Sequence, residues 1–547
     1  MRVRTASAAL ATVACIGLLA ACSSAEDIAA TPADSPSVAG APTVPVSSSS
    51  PAPASETPSA TASSTTSTPG APGHLPAGFG DGPPGSGIDR FYHQQVDWVD
   101  CGAGDTCADI WVPLDYNAPD GPAITIKAKR DPAADPSRKV GSLFINPGGP
   151  GGSGIDYLGY ANFDSAITDV YDVIGFDPRG VATSTPIDCI SDPELDAFVA
   201  ADPSPDTQEE VTQFQDSWAH FTAGCVANSG PLLQHVSTVE VARDLDVMRA
   251  VVGDSSLHYF GASYGTYIGA TYAALFPQQV GRMVLDGAVD PLAPPRRTEL
   301  DQAVGFETAL TAYLGSCVHH GNCPLGDDVA TARDNLVALF KTLDSSPLPT
   351  SSGRQLTEGL AFLGVIVPLY SRSTWSYLTQ GLEGVVKGDG DVLLALADAY
   401  TERQPDGSYP SNSLEVQSAV NCLDHPEHES VAQIEAGAAQ FDRLAPVFGP
   451  VATWFPYLCS NWPVPPTQPV PDYSATGAAP IVVVGTTRDP ATPYQQAVKL
   501  AGELDSGVLL SREGDGHTAY DSGNRCIDTA IDSFLADGTV PADGTRC

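Results

Sequence analysis

The stretch LHYFGASYGTYIGATYAALFPQQVGRMVLDG, residues 257–287, sets one serine between two glycines where two periodicities meet. Leu257 to Phe260 form an apolar and aromatic run, as in a buried strand. Ile268, Tyr272 and Leu275 then recur at spacings of three and four, as on a helix. Val280 to Leu285 returns to a strand-like run. Gly261-Ala262-Ser263-Tyr264-Gly265 therefore occupies a strand-to-helix turn, and Ser263 is either a turn residue or a nucleophile.

The same alternation extends outward on both sides. ADIWVPLDY (108–116) and AITIKAKR (123–130) read as paired strands around a turn at Pro119-Asp120-Gly121. GSLFINP (141–147) and YDVIGFDPRG (171–180) read as buried strands, and 238–253 has helical spacing. PIVVVGTTRDP (480–490) is strand-like, followed by a helix near 494–504. GVLLSREGDGH (507–517) is a strand running into a loop, and 524–536 a closing helix. Buried strands alternating with helices imply an α/β fold with a mostly parallel, doubly wound sheet. Residues 294–471 break the rhythm and are mainly helical, which predicts a cap inserted over the sheet edge. The core is then expected in two parts, 87–293 and 472–547.

In this setting Gly-x-Ser-x-Gly has the form of the nucleophile elbow of an α/β-hydrolase, which lifts the serine hydroxyl above the sheet at a helix N-terminus. Such an elbow needs an acid and then a histidine downstream. His517, in GDGHTAY, is the histidine of the C-terminal part of the core and lies just past a strand. A neutral imidazole there can take the serine proton and return it to the leaving group. Asp489, just past the preceding strand, can hold the imidazole tautomer. Asp515, two residues from His517, is poorly placed for that role. Oxyanion donors are expected from the N–H of Tyr264 and from the glycine loop NPGGPGGSG (146–154), with Gly149 favoured and Gly148 second; Pro150 has no N–H. The glycine run lacks the Lys-Ser/Thr ending of a phosphate-binding loop. The chemistry requires neither cofactor nor metal.

Taken together, NPGGPGGSG, DVIGFDPRGVATSTP, GASYGT, VLDGAVDP, AVNCLDHP, RDPATP and GDGHT resemble the secreted actinobacterial tripeptidyl aminopeptidases, relatives of proline iminopeptidase with a TAP-like C-terminal region. The resemblance runs from about Cys101 to Cys547. It implies a serine hydrolase with a helical cap that removes short peptides from free N-termini, with Ser263, Asp489 and His517 as the triad. One departure is Ala182, where a second glycine usually follows Asp177-Pro178-Arg179-Gly180. An exopeptidase must hold a free ammonium, for which Asp286, Asp290 and above all Asp424 are candidates, besides unidentified acids of the cap. Asp177 and Arg179 are expected to buttress the glycine loop. The rival readings are a carboxylesterase with the same triad and a non-catalytic cell-surface binding lipoprotein.

The remaining features bear on location. Arg2 and Arg4 precede an apolar run, Ala8 to Ala21, too short for an ordinary span, so 1–21 reads as a signal peptide. It ends Leu19-Ala20-Ala21-Cys22, which resembles a bacterial lipobox with Cys22 as the lipidated residue. Residues 22–86 are rich in Ser, Thr, Pro, Ala and Gly, the composition of a disordered tether. A lipid-anchored protein at the cell surface, or one released to the medium, is expected. The 65 acids against 26 bases leave a net charge of −39, which argues against nucleic-acid partners and against electrostatic binding to anionic lipid. Export favours disulfides. Near neighbours suggest Cys101–Cys107, Cys189–Cys225, Cys317–Cys323, Cys422–Cys459 and Cys526–Cys547, although spacing alone does not fix connectivity. A zinc site is disfavoured, since no tight Cys-x-x-Cys pair or histidine cluster stands out beyond His319-His320 beside Cys323.

Overall fold

A computed structural model of the protein describes residues 78–321, 323–426 and 428–547. The expected signal peptide, the expected lipidation site at Cys22 and most of the expected tether lie outside the described residues. Eight principal strands build one sheet. Strands β1 (Asp105–Pro113) and β2 (Ala123–Asp131) form the expected antiparallel hairpin, with Ile110 opposite Ile126. Strand β2 pairs antiparallel with β4 (Tyr171–Phe176), which runs parallel to β3 (Gly141–Asn146). Beyond β3 lie β5 (Leu257–Ala262), β6 (Val280–Asp286), β7 (Ile481–Arg488) and β8 (Gly507–Asp515), all parallel. The order is β1-β2-β4-β3-β5-β6-β7-β8, with short strands Val99–Gly102 and Thr545–Arg546 at the two edges.

Every residue of β3 and β4 is buried, which is why both read as continuous apolar runs rather than alternating ones. Side chains still alternate between the two faces. Phe144, Tyr259, Met283, Ile481 and Val483 pack against helices α1 (Thr238–Val251), α2 (Tyr264–Leu275) and, further along the chain, Tyr494–Glu503. Leu143, Ile145, Phe260, Val482 and Val484 face Ser165–Thr168 and Arg525–Asp537 on the other side. The chain leaves β3 on one side for β4 and returns on the other for β5. Loops after β3 and β5 therefore diverge and open a crevice at the carboxyl ends of the strands.

The insertion is helical as expected. Helix α3 (Pro295–His319) and the helices Val329–Ser345, Glu358–Ile366, Trp375–Val386 and Asp391–Thr401 close around a hydrophobic core of their own. Helix α4 (Ser413–Asp424) differs: Val416, Ala419, Val420 and Leu423 join the hydrophobic core of the hydrolase part. A second helical excursion, Asp192–Val199 and Gln208–Ser229, was not marked in the sequence. Its Phe214 and Trp218 meet Trp454 and Tyr457 of the insertion. The end of the expected tether also departs from that reading. Phe79 and Gly80 pair with Ile124 and Ala123, because Gly80 lets the strand lie directly on the Trp111 ring. The five disulfides are the five near-neighbour pairs.

Candidate active site

Ser263 sits between β5 and α2 with φ 56° and ψ −127°, a conformation that a residue with a side chain adopts only under constraint. Three features supply the constraint. The Ser263 N–H donates to the carbonyl of Asp286 at 2.9 Å, and the Ser263 carbonyl accepts from the Thr266 N–H at 2.8 Å and the Thr266 hydroxyl at 2.6 Å. The turn doubles back so tightly that a β-carbon at Gly261 would lie 2.3 Å from the Gly265 carbonyl oxygen. Ser263 stays partly exposed between buried Ala262 and Tyr264, as a nucleophile must. Tyr264 opens α2, so its N–H belongs to the first turn, where amides have no partner within the helix.

The histidine and the acid arrive from β7 and β8. His517 Nδ1 lies 2.8 Å and 3.0 Å from the two carboxylate oxygens of Asp489. Asp489 is buried and also accepts from the N–H groups of Ala491, Thr492 and Thr518, so its orientation is fixed from several directions. Burial pulls the imidazole pKa down. The charge of Asp489 and its hydrogen bond outweigh that, with Asp286 adding to them, and the net value lies above the ordinary one. The backbone N–H of His517 donates to the Tyr370 carbonyl at 2.8 Å, and the Tyr370 ring stands edge-on to the imidazole. Gly287, next to the residue that anchors Ser263, lies against the same ring: a β-carbon there would be 3.2 Å from His517 Cε1. Serine, imidazole and carboxylate thus share one sheet edge.

The glycine loop after β3 lies over the elbow. A β-carbon at Gly148, whose φ is +93°, would fall 2.8 Å from the Tyr264 nitrogen and 2.9 Å from Ser263 Cβ. The Gly148 N–H itself donates to Asn146 Oδ1 at 2.9 Å. Asp177 ties the loop down by accepting from Ser153 Oγ at 2.5 Å and from Thr183. Arg179 is fully buried and bridges Asp244 and the carbonyls of Pro113, Leu114 and His235. Asp177 buttresses the glycine loop as expected, whereas Arg179 ties its own turn to the end of β1 and to α1 instead.

The acids considered for an ammonium have other engagements. Asp286 accepts from the N–H groups of Ala519 and Tyr520, so it clamps the segment after His517; burial raises its carboxyl to about 6. Asp290 pairs with Lys499 and accepts from the Leu292 N–H. Asp424 accepts from the Thr238 N–H and hydroxyl, and burial raises it to about 7. Asp515 pairs with Arg488 and Arg372, away from the imidazole. The clamp by Asp286 was missed in the sequence, where its place at the end of β6 was the available signal. Among the described residues, Asp202, Asp344 and Glu358 form the one grouping of acids close enough to share a cation, and they belong to the helical insertion and its neighbour rather than to this crevice.

Comparison with known proteins places the chain among serine hydrolases. A family described as TAP-like protein matches residues 445–547. Serine protease Hip1 of Mycobacterium tuberculosis is 41% identical over 482 residues, 83% of this chain and 91% of the relative. Carboxylesterase B of the same organism is 37% identical over 451 residues, 81% and 86% of the two chains. Tripeptidyl aminopeptidase of Streptomyces lividans is 31% identical over 471 residues, 83% and 86%.

Proposed function

Since the chain belongs to the tripeptidyl aminopeptidase family of α/β-hydrolase serine peptidases, we propose that it releases short peptides, tripeptides in particular, from free N-termini through an acyl-enzyme on Ser263. In this reading His517 takes the Ser263 proton as the hydroxyl attacks the scissile carbonyl, then passes it to the leaving amine. Asp489 holds the Nδ1–H tautomer and stabilises the imidazolium. The N–H groups of Tyr264 and Gly149 receive the oxyanion; Gly149 is preferred over Gly148, whose N–H is occupied by Asn146. The observation that carries the reading is the 2.8 Å Asp489–His517 contact beside a serine held in a strained elbow.

The remaining proposals rest on the sequence. The protein is exported, anchored through lipid on Cys22 and tethered by 22–77, and it meets peptides rather than nucleic acid. Five disulfides suit an oxidising compartment. No helix among the described residues is long and apolar enough to cross a membrane. The core is divided as 78–293 and 472–547, with the cap at 294–471 lending α4 to the core. A second reading, carboxylesterase, is favoured by the relative of that name at 37% identity.

A substrate panel separates them. Unblocked tripeptide, aminoacyl and N-acetylated chromogenic substrates are compared with short-chain nitrophenyl esters, alongside fluorophosphonate labelling. Release from the free tripeptide but not from its acetylated form is expected. Hydrolysis of esters alone would favour the second reading, and absence of labelling would point to a binding protein.

A further inference from the structure

Helix α4 reaches both sides of the oxyanion cradle proposed above. At its start, Gly151 of the glycine loop packs on Ser413: a β-carbon at Gly151 would lie 2.6 Å from the Ser413 carbonyl oxygen and 2.8 Å from its Cα. Just before it, Asn412 donates to the carbonyls of Gly180 and Ile187 and accepts from the Ala182 N–H. At the far end, Asp424 accepts from Thr238 Oγ1 at 2.5 Å, and Thr238 Oγ1 is 2.5 Å from the hydroxyl of Tyr264. Between these ends Val416, Ala419, Val420 and Leu423 seat the helix in the hydrolase core, and Cys422 is tied to Cys459. One rigid element therefore grips the loop that carries Gly149 and, through two hydroxyls, the residue that follows the nucleophile.

We propose that Asp424, acting through Thr238 on Tyr264, is a positioning residue for the oxyanion hole. The hydroxyl chain has a direction. When Asp424 is ionised its carboxylate has no hydrogen to give, so Thr238 donates to it, which leaves the threonine oxygen to accept from Tyr264. All hydroxyl hydrogens are then used. The Tyr264 side chain is thereby fixed at its tip, and its N–H is fixed with it, although no helix carbonyl holds that amide. Oxyanion donors work by being oriented before charge develops, and a displacement of about 1 Å is enough to cost roughly two orders of magnitude in rate. Asp424 does not touch substrate in this account. The inference rests on Tyr264 being an oxyanion donor.

The test uses Thr238→Val, Thr238→Ser and Tyr264→Phe in the full chain, with kcat and KM measured on both a free tripeptide substrate and a nitrophenyl ester. Thr238→Val keeps the backbone bond to Asp424 and removes only the hydroxyl. A fall in kcat of about tenfold on each hydrolysed substrate, with KM changed less than about twofold, is expected. Tyr264→Phe should match it, the double variant should be no worse than either single, and Thr238→Ser should restore kcat. Retention of kcat within about twofold in both single variants would overturn the proposal, as would failure of serine to rescue a folded protein. The ester arm keeps this outcome separate from the peptidase reading, because an oxyanion hole serves both reactions.

Discussion

Asp489 has four donors around one carboxylate, so asparagine in its place removes the charge that favours the imidazolium and sets a donor NH2 against an N–H. Asp489→Asn is expected to lower kcat by about 10³–10⁴-fold and to lower the melting temperature, checked by kinetics and thermal denaturation. The pH profile carries a second expectation. The base must be neutral to accept the serine proton, and its pKa in the folded protein is raised above 6.5. The acid limb of kcat/KM should therefore have its midpoint above pH 6.5, and it should move below that value in Asp489→Asn, where burial is no longer offset. Ala182 makes a third case. It holds φ 43°, and its N–H is fixed by Asn412. Ala182→Gly relieves a left-handed residue at about 1–2 kcal/mol and returns about 0.5–1 kcal/mol in chain entropy. A small rise in melting temperature with unchanged kcat is expected. Ser263, His517 and Asp489 were legible because each follows a strand and their order is constrained. The strain at Ala182 was visible only as a missing glycine, since backbone angles leave no trace in composition.

Helix α3 shows how an element of the cap enters the chemistry. Gln302 donates to the Ala491 carbonyl, and a β-carbon at Gly305 would sit 2.5 Å from the Pro490 carbonyl oxygen. One turn on, Phe306 packs against Tyr370, whose ring meets His517. Gly305→Ala must push the helix off the loop that carries Asp489. A loss of about 1–3 kcal/mol in stability and more than about tenfold in kcat is expected, read from denaturant melts and from steady-state kinetics. Most strands could be read from apolar runs, as with β3 and β7, and core helices from periodicity, as with α1. Periodicity reports that a helix has an apolar face and not which core receives it. That is why α4 fell within the expected cap although its apolar face belongs to the hydrolase core, and why Gln208–Ser229, with mixed aromatic and charged positions, went unmarked.

Across the whole molecule, burial raises several carboxyls: Asp286 to about 6, Asp424 and Glu415 to about 7, and Glu358 to about 8. A group raised on folding stabilises fully below its unfolded pKa, and that stabilisation is lost as pH rises through the folded value. The net charge of −39 acts in the same sense, since deprotonation adds to self-repulsion. The melting temperature should be higher near pH 5.5 than near pH 8, by about 2 °C or more, and added salt should narrow the gap. A scan showing the reverse slope would mean that these carboxyls are hydrated rather than enclosed. The sheet order has a further result during synthesis. Ile481 of β7 pairs with Met283 of β6 only after the cap has been made, and His517 comes later still. A growing chain therefore carries its nucleophile without a partner base and with a bare sheet edge, open to aggregation until the last strands zip alongside. In the proposed mechanism hydrolytic competence is withheld from unfinished copies, and the C-terminal part acts as the step that arms the molecule.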